Sequence, residues 1–448
     1  MIVDRFADYA RFEAQRPLPP EVAHHAKRAL IDWFAALFPG IGNAPGVQLM
    51  AAHARELGVG ASSLPGQRRT AFAGTAAWIN GSISHAVEFD DIFRDAVYHP
   101  GCPTISAALA LAEECGATGA QLLKAITVGY EISTRIGAAI QPSHYRYFHT
   151  TGTVGVFGAA AAGAMLLDEG GEDTMRHALA TAASFAAGLQ QAFRSDAMTK
   201  ALHAGHAAWV GVTAAAGAAN GVTGALDILE GAAGLGAAMA VEPAWARATD
   251  ALGERYNICA ITQKNHGCCG HTFAAIDAML ALRAEHGVVA EAVDRIRVDT
   301  YQTALDVTGN FAPGSPFEAR FSLPYVVAHG LLHGPVRLSA FEPQRLADPA
   351  LRELMTRIEL QADPALSDAF PGQRAARVGV TLRDGRRLEH FAPCRKGDPE
   401  APLADADIDD KFLELASPVI GPRHAQELLR KLWAIDTHSL ADLELTRL

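Results

Sequence analysis

Gly155-Val156-Phe157-Gly158-Ala159-Ala160-Ala161-Ala162-Gly163-Ala164-Met165 decides the fold of the larger part of this chain. Small side chains at nearly every position let neighbouring helices approach closely, so this segment reads as a helix of the core. From the start to about residue 265 the surrounding sequence is rich in Ala, Leu, Gly and His at helical spacing, with almost no alternating β-branched runs. An all-helical domain is predicted there. Thr118 is placed to cap a helix through Gln121 to Ile132, whose Leu122, Ile126, Gly129 and Ile132 share one face. The longest apolar segments, Val154 to Leu167 and Ala207 to Ala219, fall short of the roughly 20 residues that span a bilayer and read as buried helices.

After Lys264 the texture changes. Phe273, Ile276, Met279 and Leu280 predict a helix over 271–282, and Arg295 to Tyr301 alternates polar with apolar residues as a strand does. Arg377 to Arg383, Asp384-Gly385, and Arg386 to His390 predict a hairpin, the Asp-Gly pair suiting a two-residue primed turn. Ile358 and Leu360 suggest a further strand. The expected fold is mainly α with a smaller α+β domain: residues 1–265 all-helical and completed by 405–448, and residues 266–404 an α+β unit with an antiparallel sheet. The face Leu428, Leu429, Leu432 and Trp433 returns the tail to helix.

Composition narrows the class of function. With 448 residues, 49% of them hydrophobic, the chain can bury a large core, and its net charge of -11 argues against a nucleic-acid partner or an anionic membrane surface. Charged Asp4, Arg5 and Asp8 interrupt the stretch where a secretory signal needs an apolar core, so a cytoplasmic protein is expected, with its six cysteines as free thiols. Gly40-Ile41-Gly42-Asn43-Ala44-Pro45-Gly46 has the wrong glycine spacing for a dinucleotide loop, and neither a Walker loop nor a Gly-x-Ser-x-Gly elbow occurs.

Polar islands stand out against this background. His85-Ala86-Val87-Glu88-Phe89-Asp90-Asp91, followed by His99-Pro100-Gly101, packs acids and imidazoles between apolar segments, and buried carboxylates need a partner or a chemical task. Four more islands are His144 to Thr151, Asp196 to His203, Lys264 to His271 and Arg320 to Tyr325. Together they offer acids, bases and carboxylate binders, which suits proton abstraction beside a carboxylate. Each also has a plainer reading. The acids can cap helices or form ion pairs, His99 can sit in a turn, the lysines can be solvated, and Tyr145 and Tyr325 can be packing residues. His266, Cys268, Cys269 and His271 are metal-ligand types, but adjacent cysteines do not readily chelate one tetrahedral zinc, so no metal is expected there.

The order of these islands resembles the MmgE/PrpD family: Asn80-Gly81 through Asp91 with His99-Pro100, Phe148-His149-Thr150-Thr151-Gly152, Thr199-Lys200-Ala201-Leu202-His203, Lys264 with Cys268-Cys269 and His271, and Phe321-Ser322-Leu323-Pro324-Tyr325. The family includes 2-methylcitrate dehydratase, cis-aconitate decarboxylase and iminodisuccinate epimerase. The resemblance implies catalysis without metal or organic cofactor on a small anionic polycarboxylate, a smaller domain like that of chorismate mutase, a site between the domains, and a homodimer. Carried onto this chain, it implies catalytic roles for Asp90, His99, His149, Lys200 and Tyr145, and substrate binding by Glu88, Asp91, Arg146, His203, Lys264 and Tyr325. Two positions depart from the pattern: Glu88 stands where Asp is common, and Ile92 replaces the usual Thr or Ser. The resemblance implies a lyase of the 2-methylcitrate dehydratase type first, an epimerase second, then a decarboxylase or a non-catalytic binding protein.

Overall fold

The computed structural model describes residues 1–195 and 197–448; Asp196, from the third polar island, lies outside the described residues. The protein is mainly helical and divides into two compact units, Met1–Thr262 with Ala404–Leu448, and Gln263–Leu403.

The core of the first unit is a stack of helices, Ala73–His85, Gly101–Cys115, Gly119–Ala139, Thr150–Asp168 and Thr199–Ala219. Small residues set their spacing. A methyl group added to Gly163 would lie 2.6 Å from Ala215 Cβ, and one on Gly155 2.7 Å from Pro103 Cγ, both inside van der Waals contact. Two helices run longer than their apolar segments suggest, because polar residues such as Thr150 and Lys200 form their first turns. The Thr150–Asp168 helix is long and apolar enough to cross a bilayer, but 89% of its apolar window is buried inside the protein. At Thr118 the cap takes the reciprocal form, with Gln121 N donating to Thr118 Oγ1 at 3.2 Å and Thr118 N donating to Gln121 Oε1 at 2.9 Å.

This unit is not wholly helical. A small antiparallel pair, β1 (Ser62–Leu64) with β2 (Arg69–Ala71), sits against the Gly101–Cys115 helix, where Ser62 Oγ donates to Ala110 O at 2.8 Å. Three-residue strands are too short to display a period in sequence. The C-terminal helices Asp405–Ile420 and Pro422–Trp433 belong to the same unit. Within it, Lys411 Nζ reaches the buried Asp32 Oδ1 at 2.6 Å and Phe89 O at 2.8 Å, anchoring the tail to the loop that carries the acidic island.

The second unit is built on a four-stranded sheet ordered β4-β3-β5-β6, with β3 Val293–Thr300, β4 Ile358–Ala362, β5 Ala376–Leu382 and β6 Arg387–Ala392. The sheet is mixed, which corrects the antiparallel expectation: β3 pairs antiparallel with β5 and parallel with β4. The chain between β3 and β4 contains several helices, the last being Pro349–Met355, and such a long crossover permits parallel pairing. One face of the sheet presents Val378, Val380 and Leu382 to Ile276, Met279 and Leu282 of the Phe273–His286 helix. The β5–β6 connection also differs from expectation. Leu382 N donates to Arg386 O at 2.8 Å and Gly385, at φ 87°, takes the positive φ, so the loop has three residues rather than a two-residue primed turn.

Candidate active site

The acidic island lies in the loop between the helices Ala73–His85 and Gly101–Cys115. Glu88 adopts φ 57°, a left-handed conformation uncommon for a residue with a Cβ and worth about 1–3 kcal/mol of local strain. The two aspartates that follow take different tasks. Asp91 is structural: its Oδ1 accepts from Gly101 N at 3.0 Å and its Oδ2 from Tyr130 Oη at 2.7 Å, so it caps the helix that begins at Gly101. Burial pushes its carboxyl up to about 7, against the opposing pull of those two donors.

Asp90 is the hub. Its Oδ2 lies 2.7 Å from His85 Nδ1, 3.0 Å from His99 Nδ1 and 3.1 Å from Cys102 Sγ. A carboxylate accepting from Nδ1–H fixes the imidazole tautomer and leaves the Nε2 lone pair as a proton acceptor. For His85 that Nε2 is buried and has no hydrogen-bond partner among the described residues. His99 is the more open ring, its side chain 14% exposed, and its backbone N donates to Thr151 Oγ1 at 3.3 Å.

Further imidazoles complete the cluster. The His85 ring stacks on His149 with centroids 5.6 Å apart and meets His99 edge-on at 4.8 Å. His149, the residue before the Thr150–Asp168 helix, shares a 2.9 Å hydrogen bond between its Nδ1 and that of His203. Such a bond requires one ring to donate and the other to accept, hence at least one neutral imidazole. The electrostatics agree: burial, then the neighbouring His85 and Lys200, holds His149 well below the usual histidine range, and burial brings His203 down to about 4. Lys200 and His203 lie one turn apart at the start of the Thr199–Ala219 helix. Lys200 Nζ forms a buried ion pair with Glu88 Oε1, so the cluster's cation is matched by an acid.

Glu88, Asp90, His99, His149, Lys200 and His203 are therefore brought together, and Asp91 supports them from behind. Tyr145 is half-buried in the short turn His144–Arg146, where its carbonyl accepts from Gln190 Nε2 at 2.8 Å. Arg146 in that turn is exposed, its guanidinium 5.1 Å from the Tyr147 ring centroid. In the second unit, Lys264 is buried. Tyr325 lies in that unit's core and donates its hydroxyl to Ala340 O at 2.5 Å, the packing role open to it from sequence. His266 bonds Asp277 at 3.1 Å, His271 bonds the Tyr301 hydroxyl at 2.7 Å, and Cys268 contacts Thr272 at 3.3 Å, so separate partners hold these potential ligands. In the cluster itself, ligand atoms of His85, Asp90 and His99 lie within 4.8 Å of one another. They could hold a cation, although His85 Nδ1 is already hydrogen-bonded to Asp90 Oδ2 at 2.7 Å.

The MmgE/PrpD N-terminal domain matches residues 4–248 and the MmgE/PrpD C-terminal domain residues 266–435. The chain belongs to the MmgE/PrpD family. Relatives of this MmgE/PrpD protein include human cis-aconitate decarboxylase, 30% identical over 79% of this chain and 75% of the relative. Cis-aconitate decarboxylase-like protein oryM of Aspergillus oryzae is 27% identical over 94% of this chain and 91% of its own length. A shorter match, to 2-methylcitrate dehydratase of Cupriavidus necator, is 30% identical over 27% of this chain and 26% of the relative.

His85, Cys102 and Tyr130 are contacts of the site that sequence reasoning left off its candidate residues. His85 had a signal, since a histidine at a helix end five residues before Asp90 can fold back onto it. Tyr130, inside an apolar helix, had none.

Proposed function

We propose that this protein is an acid/base lyase that works without metal or organic cofactor, transferring a proton at the carbon beside a carboxylate of a small di- or tricarboxylate. The observation that carries this reading is Asp90 Oδ2 hydrogen-bonded to His85 Nδ1 at 2.7 Å with His99 Nδ1 in ion-pair contact at 3.0 Å, an acid set between two imidazoles in a buried site. In this reading His99, the more open of the two rings, removes the proton, and His85 with Asp90 fixes its position. The carbanion or aci-carboxylate that forms needs positive charge, which Lys200 supplies as a substrate carboxylate competes with Glu88 for its ammonium. Lys264 is a second carboxylate binder, and Tyr145 a second proton carrier. Loss of hydroxide from the adjacent carbon completes a dehydration of the 2-methylcitrate type. A homodimer in the cytoplasm belongs to the same proposal, checked by light scattering.

Epimerisation is the second reading, and Ile92 favours it. This side chain is buried, and its backbone N and O pair with Thr262 at 2.9 and 2.8 Å, so the position supplies no hydroxyl to hold a departing water. Reprotonation on the opposite face needs none. Incubation in deuterated water with 2-methylcitrate, cis-aconitate and iminodisuccinate stereoisomers, followed by proton NMR, tests both. Deuterium exchange, a new alkene or stereoisomer conversion supports proton transfer beside a carboxylate. Efficient 2-methylcitrate dehydration overturns the argument from Ile92, and inertness across a broad polycarboxylate panel favours a binding protein.

A further inference from the structure

The Pro20–Gly40 helix carries Glu21 in its first turn and His25 one turn further along the same face. Cys259 reaches them from the short turn Asn257–Ala260. A carboxylate oxygen of Glu21, a ring nitrogen of His25 and the sulfur of Cys259 lie within 4.8 Å of one another, with Glu21 exposed and the other two half-buried. Among the described residues no hydrogen bond or ion pair engages any of these three side chains. Their neighbours are engaged. His24 stacks on Trp433 with centroids 5.3 Å apart and pairs with Asp405 at 3.1 Å, and Arg28 also pairs with Asp405.

We infer that Glu21, His25 and Cys259 form a binding site for a zinc-class divalent cation, separate from the histidine cluster. Thiolate, imidazole and carboxylate are together a zinc donor set, whereas magnesium and calcium prefer oxygen alone. Bonds of about 2.0–2.3 Å in a tetrahedron set ligand atoms roughly 3.3–3.7 Å apart, a contraction that side-chain rotation of the exposed Glu21 and the half-buried His25 would supply. Water takes the fourth position. The cation would tie two supports of the acidic loop together. The Pro20–Gly40 helix bears Asp32, which meets Lys411 and through it Phe89 O, and the 257–260 turn leads to Thr262, which pairs with Ile92.

The test uses the full chain, stripped with chelator and titrated with cobalt(II), whose thiolate charge-transfer band reports a cysteine ligand. One equivalent should bind with that band. The band should vanish in Cys259→Ser and persist in Cys102→Ser, the cysteine beside Asp90. Glu21→Gln and His25→Ala should weaken binding by at least ~10-fold. Zinc should raise the thermal midpoint of the wild type and leave that of Cys259→Ser unchanged, with circular dichroism confirming that each variant is folded. A band that survives in Cys259→Ser, stoichiometric binding without the band, or equal affinity in His25→Ala overturns the assignment.

Discussion

Asp90→Asn is the most direct test of the proposed chemistry, because it removes a charge and keeps the shape. In the wild type one carboxylate oxygen hydrogen-bonds His85 Nδ1 at 2.7 Å and lies 3.0 Å from His99 Nδ1 in an ion-pair contact. A hydrogen bond to a charged group is worth about 1.5–3 kcal/mol, so the one from His85 sets the scale of the orientation and charge stabilisation at stake. At about 1.4 kcal/mol per factor of ten, that corresponds to a loss of roughly 10–10² in kcat/KM. The fall should lie mostly in kcat, since Asp90 holds the rings that move the proton and is not itself among the proposed carboxylate binders. The assay is initial-rate kinetics on whichever polycarboxylate exchanges deuterium, with circular dichroism and thermal melts to confirm a folded variant. A folded Asp90→Asn protein within about threefold of wild-type kcat/KM, a difference under 1 kcal/mol, refutes the dyad argument.

Lys200→Met and Lys264→Met should each lower kcat/KM at least ~10-fold, the worth of one charged hydrogen bond, and near wild-type kinetics in both would return them to scaffold residues. Turnover should survive exhaustive chelation, and in Cys259→Ser, which lacks a ligand of the inferred zinc site, an activity lost to chelator and restored by one equivalent of metal would count against metal-free acid/base chemistry. Glu113 is pushed up to about 7 by burial, against two hydrogen bonds from Ser63, so the folded state keeps its proton to higher pH than the unfolded chain does. Its contribution to stability is complete below the ordinary glutamate range and is lost as pH rises through about 7. The thermal midpoint of Glu113→Gln should therefore gain on that of the wild type between about pH 5 and pH 8, and a constant difference would contradict the shift.

Helical character was legible from Gly155 to Met165 because a run of small residues offers few alternatives to close helix packing. The strands β3, β5 and β6 were legible from their alternation. What escaped were features set by partners distant in sequence. The parallel pairing of β4 depends on the route of the chain and not on the strand itself, and β1 and β2 are too short to carry a period. In the site, the acidic island announced itself by placing charge among Ala and Ile. The separation of labour between Asp90 and Asp91 did not, because adjacent identical residues differ only in which neighbours fold onto them. Tyr130 reaches one, and His85 and His99 reach the other.

The contact of Lys411 with Asp32 and Phe89 O orders events during synthesis. A ribosome releases the acidic loop, and then every imidazole around it, long before it releases the lysine that neutralises the acid beneath. Until then the Pro20–Gly40 helix that bears Asp32 lacks the Asp405–Ile420 helix that packs on it, and Asp32 and Phe89 O lack the ammonium they share. A chain ending before residue 411 thus carries all the groups of the cluster on a loop without the Lys411 contacts that hold it in the complete protein.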